Sequence, residues 1–153
     1  MYQLYYKSPM GEIKIEADEK KVLAIKFTDC VQVVDKPNQI TRVCEKQLEE
    51  YFLGKRKIFE VSFALEGTEF QKKVWNEVYK IPYGKTVSYR EIAKKIGNEK
   101  AVRAVGMAIG RNPVAIMVPC HRVIGSNGKM TGYAYGIEKK VRLLELEKRG
   151  FGV

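Results

Sequence analysis

Cys120 stands directly before His121, the only histidine of the chain, in the run Ile-Met-Val-Pro-Cys-His-Arg-Val-Ile-Gly (116–125). A thiol with an ordinary pKa near about 8.5 is only a few per cent thiolate at neutral pH, so a nucleophilic cysteine needs a base, a cation or a helix N-terminus beside it. His121 is of the right type to be that base. On an extended segment, however, its side chain points to the opposite face from Cys120, and coupling runs through a water or a backbone bend. Taken as a bare dipeptide, a buried and unreactive thiol is the commoner outcome. The surroundings favour chemistry: Pro119 removes a backbone donor, Asn112-Pro113 fixes a turn upstream, and Gly125-Ser126-Asn127-Gly128 with Thr131-Gly132-Tyr133 reads as a Gly-rich pocket wall.

These residues need elements to hold them. Residues 1–60 read as a small α/β domain: QLYYK, EIKIEA and VLAIKF alternate as a three-strand antiparallel meander. An amphipathic helix follows, with Ile40, Val43, Cys44, Leu48, Tyr51 and Phe52 on its core stripe. The run IFEVSF (58–63) fits either a strand or an extended linker. Residues 67–153 read as a mainly helical domain. Thr68 with Gln71 and Ser88 with Glu91 are capping boxes that open two helices. A third helix is predicted from about Glu99 to Ile109 with Asn98 as its cap, and the last two form a helix-turn-helix. A final helix, 137–148, is expected to pack through Ile137, Val141 and Leu144.

The third helix has an unusual composition. Its projection puts Val102, Val105, Gly106 and Ile109 on the core side and Ala101, Arg103, Ala104, Met107 and Ala108 on the wet side. That wet side is small and apolar except for one arginine. Either it is buried after all, or it closely approaches a partner such as a nucleic-acid groove.

The chain carries 28 Lys+Arg against 18 Asp+Glu, a formal net charge of +10 that favours polyanionic partners. The N-terminal residues have no signal-peptide pattern and no apolar run approaches the roughly 20 residues of a membrane span, so a cytoplasmic protein without membrane association is expected. Cys30, Cys44 and Cys120 match neither a disulfide framework nor paired metal ligands, and no structural metal is expected. A Cys30–Cys44 bridge is admissible only in the cytosol of a hyperthermophile.

In that order, "VSYREIA" (87–93), "AVRAVG" (101–106), "RNP" (111–113), "PCHRV" (119–123) and "GY" (132–133) resemble the O6-alkylguanine-DNA alkyltransferases, from about residue 69 to 148. The first half resembles that family only in size and element order. The resemblance implies a cysteine that accepts an alkyl group once from O6 of a guanine flipped out of DNA, and Cys120 matches it. It also implies a water-linked base at His121, its orienting acid at Glu147, a turn-holding Asn112, and a hydroxyl at Tyr89 that meets the departing base. Arg103 matches the residue that fills the hole left by the flipped base, with Ala101, Ala104 and Gly106 as the minor-groove face. Arg90 and Ser126 match phosphate contacts, and Val123, Tyr133 and the Ala134 backbone match the guanine pocket. Two positions depart from the family pattern: Ala134 precedes a bulky Tyr135, and Ile109 stands where some relatives have methionine. The implied partner is double-stranded DNA carrying O6-alkylguanine, bound by a monomer without cofactor. A non-enzymatic helix-turn-helix protein that binds alkylated DNA is the alternative.

Overall fold

A computed structural model of the chain describes residues 1–30, 35–130 and 132–149. It divides into two compact units, one made of residues 1–65 with 113–115, the other of residues 66–112 and 116–149.

In the first unit, β1 (Tyr2–Ser8), β2 (Gly11–Ala17) and β3 (Val22–Thr28) form the expected antiparallel meander. Alternation sets the register. Leu4 lies opposite Ile15, which lies opposite Ile25, and Ile13, Ile15 and Ala17 are fully buried on one face. That face is covered by α1 (Gln39–Phe52), whose Cys44, Leu48 and Tyr51 are buried. Val43, expected on the same stripe, is exposed: the stripe settles on positions 41, 44, 47, 48 and 51. The helix opens with an Asn38/Thr41 capping box. The edge of β3 is lined by two short extended pieces. Val22 exchanges backbone hydrogen bonds with Ser62 and Ala64, and Ile25 with Pro113 and Ala115. The IFEVSF run thus contributes one bridge at Phe63. No disulfide joins Cys30 to Cys44.

In the second unit, α2 (Glu69–Tyr79) and α3 (Tyr89–Lys95) start at the two expected capping boxes. α2 buries Val74, Trp75 and Val78, and the Trp75 indole N–H donates to the Ala108 carbonyl at 2.8 Å. Gly67, just before the helix, has no room for a side chain: a Cβ there would lie 2.7 Å from the Trp75 ring. α4 (Val102–Gly110) starts three residues later than predicted. Asn98 does not cap it; the cap position is Ala101, without a side-chain bond, because 98–101 form a turn after Gly97 at φ +83°. The buried stripe of the helix, Val105, Ala108 and Ile109, also differs from the projected one. Val102 is exposed and Ala108 is buried, the reverse of the projection, while Arg103, Ala104 and Met107 do face outward. A two-residue parallel pair joins β4 (Val87–Ser88) to β5 (Val123–Ile124).

The last helix, α5 (Ile137–Arg149), is rotated from its expected face: Ile137 is half exposed, and Lys140, Leu143 and Glu147 are the buried residues. The apolar projection leaves Glu147 at the border of its face, which permits a buried carboxylate, and puts Lys140 among the charges outside it; here both turn inward. Among the described residues, no helix is long and apolar enough to cross a membrane.

Candidate active site

Cys120 lies on a single 3₁₀ turn (Cys120–Arg122) rather than on an extended segment, with β5 beginning only at Val123. The approach to it is bent twice. Ile116 has φ +72°, a left-handed conformation that costs a β-branched residue roughly 1–2 kcal/mol. The Cys120 N–H then folds back onto the Val118 carbonyl at 2.8 Å. Asn112 secures this bend: its side-chain amide donates to the Val118 carbonyl at 2.8 Å and its side chain also hydrogen-bonds Cys120. Burial pushes the Cys120 thiol up to about 12, against the downward pull of Asn112 and of the Lys140 cation.

The 3₁₀ turn sends His121 into the protein, where it is fully buried against α5. Its Nε2 lies 2.6 Å from Glu147 Oε2. Arg122 grips the same carboxylate, Nε to Oε1 at 2.7 Å and Nη2 to Oε2 at 3.0 Å, and the Gly84 N–H donates to Oε1 at 3.2 Å. These donors hold the Glu147 carboxyl well below the usual range despite its burial. An ionised carboxylate only accepts, so Nε2 carries the ring proton and Nδ1 presents its lone pair. Nδ1 is buried and has no hydrogen-bond partner among the described residues. Burial, more than the nearby cations, keeps His121 below its ordinary pKa even though Glu147 pulls it upward.

A second arm of α5 reaches the other side of the site. The Lys140 ammonium donates to the Gly132 carbonyl at 3.0 Å and to Tyr89 Oη at 3.5 Å, and Tyr89 Oη donates to the same carbonyl at 3.2 Å. Burial lowers Lys140 to about 8, opposed by the negative charge a Cys120 thiolate would carry. Tyr89 and Tyr133 are raised, first by burial and next by that same charge. Tyr89 and Tyr133, with Gly106, Ile109, Gly132 and Ala134, line a cavity of about 430 Å³. Tyr135 closes on Tyr133 edge-to-face at 5.6 Å.

A model of the 6-O-methylguanine DNA methyltransferase DNA-binding domain matches residues 69–149, and one of the ribonuclease-like domain of the same methyltransferases matches residues 1–65. The chain belongs to the 6-O-methylguanine DNA methyltransferase family. It is 50% identical over 153 residues to a methylated-DNA–protein-cysteine methyltransferase of Methanosarcina acetivorans, covering 96% of this chain and 98% of that one. Its fold is similar to Mycobacterium tuberculosis OGT solved in complex with DNA (42% identity, TM-score 0.90, 99% and 96% of the two chains). It is also similar to an O6-methylguanine DNA methyltransferase from Methanococcus jannaschii (31%, 0.72, 98% and 96%). The family likeness therefore extends into the first half, beyond the size and element order legible there.

Within this methyltransferase fold, Cys120, His121, Glu147, Asn112 and Tyr89 come together in one unit. Val123 is buried on β5, and Ala134 lies exposed at the cavity with Tyr133. Arg103 and Ala104 are exposed on α4, Ala101 is half-buried at its cap, and Gly106 faces the cavity. Arg90 and Ser126 are exposed on α3 and the Gly-rich loop. Thr131 of that loop lies outside the described residues. Sequence reasoning overlooked Arg122, which sat inside the quoted "PCHRV", and Lys140. The spacing of Lys140, Leu143 and Glu147 at i, i+3 and i+7 was the available signal.

Proposed function

We propose that the chain repairs alkylated DNA by transferring an alkyl group from O6 of guanine to Cys120, once per molecule. The observation that carries this is the His121 ring, buried beside the acceptor thiol with Nε2 tied to a carboxylate and Nδ1 unengaged. In the step, the thiol proton passes through a water to Nδ1. The sulfur attacks the alkyl carbon, the S–C bond forms, and the C–O6 bond breaks with its electron pair leaving on the guanine. Glu147 favours the imidazolium that results, and Asn112 orients the sulfur. Tyr89 Oη turns from the Gly132 carbonyl to donate to the departing base, where a placed O–H donor lowers the barrier.

The base reaches the cavity by leaving the duplex. The exposed α4 face supports approach from the minor groove. Its residues are small, and a Cβ added at Gly106 would meet nothing within 4 Å, so internal packing does not require that glycine. Arg103 fills the gap in the stack, while Arg90 and Ser126 contact phosphates. The protein acts on double-stranded DNA as a monomer, and the net charge of +10 makes binding fall steeply with salt.

Incubation with a duplex carrying labelled O6-methylguanine tests the proposal. One label per protein on Cys120, with none released, is expected. Release of label over many turnovers, or an unmodified Cys120 after complete repair, overturns it.

A further inference from the structure

The Arg122 guanidinium is buried and held by three hydrogen bonds near the site, and the transfer step just described does not use it. Its Nε and Nη2 hold both oxygens of Glu147, its Nη1 donates to the Ile81 carbonyl at 2.7 Å, and its Cζ lies 5.7 Å from the Tyr83 ring centroid. The contact to the backbone just after α2 holds the fork independently of Glu147. The carboxylate in turn fixes the His121 ring through Oε2, the oxygen it shares between Nε2–H and Nη2–H.

We infer that Arg122 is a positioning residue for alkyl transfer: its fork aims the Glu147 carboxylate and offsets its charge, so that the resting His121 is neutral, protonated on Nε2 and basic at Nδ1. The inference rests on the alkyl-transfer reading above. A carboxylate facing His121 without a compensating cation would stabilise a standing imidazolium, which cannot take the thiol proton. With Arg122 in place, the carboxylate orients the ring and still stabilises the charge when it forms during transfer. The planar fork suits this task because it engages two oxygens at fixed angles, which an ammonium cannot do. Among the described residues, the other charged or titratable groups facing this cluster are Lys140 on α5 and the phenols of Tyr83 and Tyr133, with Cys120 facing Lys140 and Tyr133 in turn.

Because His121 is the only histidine, its ¹⁵N imidazole signals report this state without ambiguity. In the wild-type protein at pH 7 they are expected to be those of a neutral ring protonated on Nε2. An imidazolium, or the Nδ1-protonated tautomer, overturns the inference whether or not the protein transfers alkyl groups. The second arm compares single-turnover transfer rates across pH for the wild type, Arg122→Lys and Arg122→Met. In Arg122→Met the acid limb of the profile is expected to move up by about one pH unit, with Arg122→Lys in between. A folded variant whose rate falls equally at all pH values has lost only structure, and that result also overturns the inference. Should Arg122→Met not fold, the His121 titrations of the wild type and Arg122→Lys decide the matter, with an unshifted midpoint in Arg122→Lys counting against it. Absence of transfer by the wild type would sink the alkyl-transfer reading, while the resting-state spectra would still decide the role of Arg122.

Discussion

Each unit buries a cysteine, and the two thiols are alike by the measure most used to judge reactivity: burial pushes both Cys44 and Cys120 up to about 12. Their neighbours differ. Around Cys44 the helix contributes buried Leu48 and Tyr51, and the nearest charge, Glu45, raises the thiol further. Around Cys120 an amide hydrogen bond and a lysine cation pull the other way. The contrast extends to the whole of each core. The buried polar residues described in the first unit are neutral, namely Ser8, Thr41 and Gln47. The second unit buries Ser88 and, with it, His121, Arg122, Lys140 and Glu147. A stable core has little use for such charges, since well-packed apolar residues often serve as well or better. Their concentration around one thiol supports the proposed transfer, and burial by itself is silent about reactivity.

The strongest way to break the comparison is to exchange the thiols' fates. Cys120→Ser is expected to abolish labelling of the protein by an O6-methylguanine duplex while leaving DNA binding intact, and label appearing on Cys44 in that variant would refute the contrast. Next in size is Glu147→Gln, which leaves Arg122 buried against a neutral amide. It should cost about 3–5 kcal/mol in chemical denaturation at neutral pH. The same residue sets an acid dependence. Folding lowers the Glu147 carboxyl, so its stabilisation is complete above its unfolded pKa, near 4.3, and is lost as pH falls further. His121, also lowered, makes the folded state lose stability as pH drops below about 6.5. Denaturation midpoints measured from pH 8 to pH 3 should fall in both ranges, and Glu147→Gln should flatten the lower one.

A smaller effect tests packing away from the charges. Gly67→Ala forces a methyl against the Trp75 ring and should cost about 1–3 kcal/mol by overpacking, read as a lower melting temperature with transfer chemistry preserved. The smallest is Cys44→Ala. It should cost about 1 kcal/mol of stability and leave the transfer rate unchanged; a slowed transfer would mean that the two thiols are coupled.

The same division explains what could be read from the residues alone. Alternation and turn chemistry made the β1–β3 meander legible, and the capping boxes at Thr68 and Ser88 located two helices, because those signals are local. The start of α4 was not legible, since Asn98 is a good cap by type and only the Gly97 turn decides that the chain does not use it. The face of α5 was misread for a more general reason. Periodicity arguments assign charged residues to water; in α5 a lysine is buried against Tyr89 and Gly132, and a glutamate at the border of the apolar face is buried against His121 and Arg122. Cys120, His121, Asn112, Tyr89 and Glu147 were legible together through their order along the chain, which pointed to a family. Arg122 and Lys140 were not, and neither was the left-handed turn at Ile116.

Helix α5 supplies both Lys140 and Glu147, and it follows every other element of the site in chain order. During synthesis, then, the cysteine, the histidine and the cavity wall leave the ribosome before the cation and the acid that complete them. A nascent chain halted before residue 140 holds Cys120 and Asn112 but neither the Lys140 cation nor the carboxylate that ties His121. The proposed relay is therefore assembled only when α5 packs onto the 3₁₀ turn.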